Sequence, residues 1–178
     1  TNTRLAEDRT LAIVEINNES NLMTMYDDLE AYRFKSETYK LMAQKKYAEF
    51  LTKKYNPDGS LGVKATEDAI KAAWRADGKQ GFDGRNESLA NATIQINGDY
   101  LSDKYSPQRC ADGFEFFYTL MENFYNDIYE WAKTPASEGG LGISCPITGG
   151  TNFAGDDRAD LFLNAHYDYI ARHTYQSH

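Results

Sequence analysis

The sequence predicts a mainly α protein: one helical domain over residues 1–178, a bundle with a long N-terminal helix and a Gly-rich, disulfide-tied loop before the last helix. Three observations carry that expectation. First, Ser106–Pro135 places Phe114, Phe117, Met121, Phe124, Ile128 and Trp131 at alternating spacings of three and four, the seam of a helix packed along its length. Second, residues 4–55 contain neither proline nor glycine. Third, glycine and proline gather mostly around 55–62, 77–84 and 134–155, where they punctuate helices.

In chain order, Leu11, Val14, Leu22, Met25, Leu29, Tyr32, Ser36, Tyr39, Ala43 and Phe50 fall close to a 3–4 repeat. Arg4–Tyr55 therefore reads as one long helix or two stacked ones. The poor helix formers Asn17-Asn18-Glu19-Ser20-Asn21 mark the place for a break. Unbroken, the helix would be a rod about 70 Å long. Lys45, Lys46, Lys53 and Lys54 read as its solvated face.

Tyr55–Gly62 is a turn by composition. Asn56, Asp58, Ser60 and Glu67 match four ligand positions of a calcium loop, but Leu61 stands where that loop requires glycine, so the plain turn is preferred. A helix is expected over Thr66–Ala76, capped by Thr66, with Glu67 and Asp68 on its positive end and Ile70, Ala73 and Trp74 facing inward. Asp77–Gly84 is a surface loop without the Gly-Lys-Ser/Thr ending of a phosphate loop. Residues 86–105 lean helical, although Thr93–Ile96 alternates like a strand and Asn97-Gly98 suits a hairpin turn. Ser106 caps the central helix, Pro107 fits its first turn and Pro135 stops it. A last helix is expected from about Asp156 to residue 175, with Leu161, Phe162, Leu163, Tyr167, Tyr169 and Ile170 as its apolar surface.

Composition excludes several classes. The net charge is -8 and no basic stripe is present, which argues against nucleic acid as a partner. No run approaches the roughly 18 apolar residues of a membrane span. The chain opens on Thr1 rather than Met, as expected of a processed form or of a piece of a longer chain. The two cysteines, Cys110 and Cys145, are expected to form a disulfide, worth about 3–4 kcal/mol by loop closure. Two buried thiols are the alternative. Asn18, Asn86 and Asn91 head N-x-Ser/Thr triplets, at a frequency near chance.

No catalytic, cofactor or metal motif is present. His166 and His173 are seven residues apart, roughly 10 Å along a helix, too far for one ion. Asp156 and Asp160 suit an ordinary first helical turn. A cysteine nucleophile would need a histidine beside Cys110 or Cys145. The candidate ligand-binding face is Glu115, Tyr118, Glu122, Tyr125 and Tyr129, running beside the apolar seam. Phenol rings and carboxylates suit an organic cation, and Glu115 with Glu122 lies at the edge of glycosidase geometry. Boundary residues of a packed helix explain the same pattern.

The expected function is a non-enzymatic, extracytoplasmic binding or sensing domain for a small ligand or a protein partner, compatible with a homo-oligomer. A structural subunit of a larger assembly is the alternative, followed by a secreted hydrolase or toxin.

Overall fold

A computed structural model describes residues 3–18, 22, 36–97, 102–150, 152–153 and 158–173. The protein is mainly α. Its α-helices are α1 (Glu37–Tyr55), α2 (Val63–Ala73), α3 (Pro107–Lys133) and α4 (Arg158–Asn164). Four short strands, β1 (Val14–Asn17), β2 (Ile147–Gly150), β3 (Asn152–Phe153) and β4 (Arg172–His173), pair as β1 with β2 and β3 with β4, both parallel. Two compact units result: Met25–Phe117, and Thr1–Thr24 together with Tyr118–His178. Helix α3 contributes to each.

In the Met25–Phe117 unit, Tyr47, Leu51, Ile70, Trp74 and Ile94 have no exposed surface. Phe116 packs on Tyr47 and Phe50, with ring centroids 5.0 and 5.6 Å apart. Helix α1 ends at the expected turn, where the Asn56 side chain donates to Leu61 O and accepts the Leu61 N–H. Helix α2 starts three residues before Thr66, with Gly62 at its N-cap. Thr66 is not the cap: it is buried, and its hydroxyl donates back to Gly62 O at 3.2 Å. Residues 86–97 form turns rather than a helix, because their backbone groups bond to side chains described below.

The second unit holds most of the differences from the sequence reading. The long N-terminal helix does not run through residues 4–17: a single 3-10 turn at Leu5–Glu7 leads into β1. Val14 pairs with Ile147 and Asn17 with Gly150. Leu11, Val14 and Ile16 pack on a cluster of Ala132, Ile143 and Ile147. The apolar spacing was real, but β-branched Val14 and Ile16 satisfy it as a pleated edge. Residues 19–21 and 23–35, the middle of that expected helix, lie outside the described residues. Helix α4 is seven residues long and stops at Asn164. The chain leaves the helix because Asp168 takes the Ile147 N–H at 2.9 Å and its backbone N–H bonds to Ile147 O at 3.0 Å.

Helix α3 has the expected bounds, and Ser106 Oγ accepts the Arg109 N–H at 3.3 Å. Its inner face is turned from the expected seam. Phe116, Phe117, Met121, Tyr125 and Ala132 are buried, whereas Phe124 and Trp131 are 46% and 52% exposed.

Both thiols are free, so the expected Cys110–Cys145 bridge is not formed. Each cysteine has its own setting. Cys110 is buried, with Asn97 Nδ2 3.6 Å from its sulfur. Cys145 packs on the Ala132–Ile143–Ile147 cluster, and its carbonyl accepts from Lys133. Part of the Gly-rich segment expected as a loop is strand β2, held by its pairing with β1 and by packing. A Cβ on Gly150 would overlap the Tyr125 hydroxyl, and one on Gly149 would meet Asn164 Oδ1 at 2.9 Å. Glycine lets β2 lie against these side chains.

Candidate functional site

Arg109 is the centre of the Met25–Phe117 unit's polar structure. It lies one turn before Gly113 on the inner side of α3. Its guanidinium sits 4.9 Å from the Trp74 ring centroid and 5.0 Å from that of Tyr105. Nη1 and Nη2 donate to Glu87 Oε2 and Oε1 at 3.1 and 2.5 Å, a bidentate pair. They also donate to Gly81 O and, at 3.0 Å, to Gln95 O. Glu87 accepts the Asp83 and Gln95 N–H groups at 2.8 and 2.9 Å. The two side chains are 3% and 6% exposed. One buried ion pair thus satisfies four backbone groups of the irregular 80–97 segment, the Gly81 and Gln95 carbonyls and the Asp83 and Gln95 N–H groups.

This segment borders a cavity of about 580 Å³. Lys40 and Gln44 of α1 line it, as do Gln80, Phe82, Asn86 and Gln95 of the loop, and buried Tyr105 and Arg109. The volume falls within the range of small-ligand sites. Two further features belong to its surroundings. Arg109 Nε is buried and has no hydrogen-bond partner. Ala92 adopts φ 51, the left-handed region that disfavours a residue with a Cβ. Around it, Ser88 and Thr93 clasp through Ser88 N to Thr93 Oγ1 at 2.9 Å and Thr93 N to Ser88 O at 3.1 Å.

A second buried carboxylate, Asp112, accepts from Tyr55 OH, Trp74 Nε1, Gln108 Nε2 and Lys54 at 2.6, 2.7, 2.8 and 2.9 Å. Burial by itself would lower the Lys54 ammonium, but hydrogen bonds to Glu115 and Asp112 outweigh it and hold it above its usual value. Burial, then the bond to Asp112, raises the Tyr55 phenol. With four donors around it, Asp112 fixes α1, α2 and α3 to one another and offers a ligand little.

The face expected to bind a ligand is divided. Glu115 belongs to the Met25–Phe117 unit, where it pairs with Lys54. Tyr118, Glu122, Tyr125 and Tyr129 belong to the other. Tyr125 has no exposed surface and packs on Phe124 and Tyr167, with centroids 5.4 and 6.1 Å away. Tyr129 donates to Asp168 Oδ1 at 2.9 Å. Burial, then the Glu122 charge, raises the Tyr118 phenol, and the same two causes push Tyr167 up to about 12. Tyr125 is thus core and Tyr129 is engaged; Tyr118 and Glu122 remain as a neighbouring pair.

The calcium-like residues serve the turn. Asn56 holds Leu61, Asp58 takes the Ser60 N–H, and Glu67 takes Lys71 and the Leu89 N–H. Among the described residues, no group of three or more His, Cys, Asp or Glu could hold a metal ion. His166 stacks edge-on against Phe162, at 5.3 Å between centroids. Asp156, the side chains of Asp160 and His173, and His178 lie outside the described residues. Also among the described residues, no helix is long and apolar enough to cross a membrane.

Sequence reasoning missed Arg109, Glu87 and Gln95. One signal was available: Arg109 and Asp112 fall on the inward stripe that continues through Phe116, and charges there must find partners. Comparison with protein families, with curated proteins and with solved structures finds no match to this chain.

Proposed function

We propose that this chain is a non-enzymatic binding or sensing domain whose small ligand occupies the cleft beside Arg109. The observation that carries the reading is a preformed cavity of about 580 Å³ lined by Gln44, Gln80, Gln95 and Arg109. The Arg109–Glu87 pair pre-organises the loop that forms the wall, so little ordering remains to be done on binding. Thermal stability measured across amino acids, amines, organic acids and sugars tests the proposal. A saturable rise with one class is expected, and no change with any class would remove it.

The expected extracytoplasmic setting drew its support from the disulfide. With both thiols free, the proposed function does not depend on it. Thiol titration with and without reductant should give two reactive groups in each case, Cys145 reacting first and Cys110 only as the protein opens.

A second reading has its own observation. Phe124 and Trp131 are about half exposed on α3, although their spacing is that of a packed seam. Such a face favours a protein partner, as in a structural or interaction subunit of a larger assembly. Light scattering over a concentration series separates the two: growth beyond a dimer favours assembly, and a fixed small species favours the ligand-binding reading.

A further inference from the structure

We infer that the cleft beside Arg109 selects an uncharged, polyhydroxylated solute, a mono- or oligosaccharide. The inference rests on the reading of that cleft as a ligand site and names what the site takes.

The cleft's charges largely cancel. Lys40 and Arg109 face Asp83 and Glu87. Arg109 and Glu87 satisfy each other, as described above. The two Asp83 oxygens already accept from the Arg85 N–H at 3.0 Å and the Asn86 amide at 2.7 Å. Lys40 lies 3.7 Å from Glu37, and both side chains are exposed. A ligand ammonium would find no carboxylate without donors. A ligand anion would find only the solvated Lys40. Desolvating a charge without a strong partner is unfavourable, so both classes are disfavoured.

What the cleft offers instead is amides. Gln44 from α1, and Gln80 and Gln95 from the loop, line it, and no hydrogen bond among the described residues engages their side chains. Each carries an acceptor oxygen and two donor hydrogens. A sugar hydroxyl both donates and accepts, so it matches an amide in either orientation. Phe82 and Tyr105, which line the cleft, supply apolar surface for the C–H face of a ring. Three neutral amides and the Phe82 and Tyr105 rings around a charge-balanced cavity match a saccharide better than any ionic solute.

Calorimetry on the whole chain tests this, using maltose, cellobiose and N-acetylglucosamine against glutamate, arginine, choline and inorganic phosphate. The expected result is saturable binding of at least one sugar and none of the charged probes. Gln44→Ala and Gln95→Ala should each weaken that sugar about two- to tenfold, the worth of one hydrogen bond. Neither side chain holds the fold, so the unliganded melting temperature should not move. Sugar affinity unchanged in both variants would overturn the assignment to this cleft. Binding of a charged probe instead, weakened by the same variants, would overturn the saccharide inference and leave the ligand-site reading standing. No binding of any probe would overturn both.

Discussion

The two units solve the problem of a core in opposite ways. Met25–Phe117 keeps its charges inside: Arg109, Glu87 and Asp112 are all buried. The unit of Thr1–Thr24 and Tyr118–His178 buries Tyr125, Ile147 and Leu163, and its organising carboxylate, Asp168, is 30% exposed. Buried charges are costly to desolvate and add little net stability even when paired. They do impose one geometry, because a misplaced loop would strand a charge. A core of rings fitted against glycines is set by shape, and its tolerance is steric. The unit with buried charges is also the one with the cleft, where a fixed loop geometry is needed.

Substitutions can break this contrast, and the largest effect is expected from Glu87→Ala. It leaves Arg109 buried and unpaired, at a cost of about 3–5 kcal/mol in denaturant unfolding. Amide exchange should rise first in residues 80–97. An equal rise in β1 and β2 would show that the two regions open together and that the contrast is one of chemistry only.

Next is Gly150→Ala. Gly150 has an ordinary φ, so the expected loss of about 1–3 kcal/mol comes from overlap with the Tyr125 hydroxyl. Adding Tyr125→Phe should recover part of it. No recovery would mean that chain freedom, not close approach, is what the glycine provides.

Smaller effects follow from protonation. Hydrogen bonds from Lys133, the Ile147 N–H and Tyr129 hold the Asp168 carboxyl below its usual 3.8. Its contribution is therefore present above about pH 4 and lost as pH falls through the lowered value. Asp168→Asn should flatten the acid limb of the stability curve below pH 4. Asp58, Glu67 and Asp83 of the Met25–Phe117 unit are also held low by their hydrogen bonds. Lys54 runs the other way. Its contribution is present below its usual 10.5 and lost only as pH rises through the raised value. The smallest effect should be Tyr129→Phe, which removes one partly exposed hydrogen bond to Asp168 and costs about 0.5–1 kcal/mol.

What could be read in advance was local. The bounds of α3, its Ser106 cap and the turn after Tyr55 follow from proline, glycine and capping chemistry acting within a few residues. The inner face of α3 follows the expected seam at Phe117 and Met121 and lies one position further on at Tyr125 and Ala132, where spacing alone favoured Phe124 and Trp131. The strand at Val14 was hidden because its partner, Ile147, lies near the other end of the chain. Period-based reading scores a segment alone, and Val14–Asn17 has no preference strong enough to reveal a parallel partner. The last helix ended early for a similar reason: Asp168 answers to Ile147, not to its own neighbours.

By itself, then, the sequence determined a mainly α protein, where its longest helix starts and stops, and that a glycine-rich stretch follows that helix. The tertiary structure alone decided what holds it. Gly149 and Gly150 are fixed by Tyr125 and Asn164 rather than by a disulfide, and the cleft is assembled from α1, the 80–97 loop and Arg109. These contacts join groups far apart in the chain. Their energies depend on burial and on partners, neither of which is a property of any one stretch of residues.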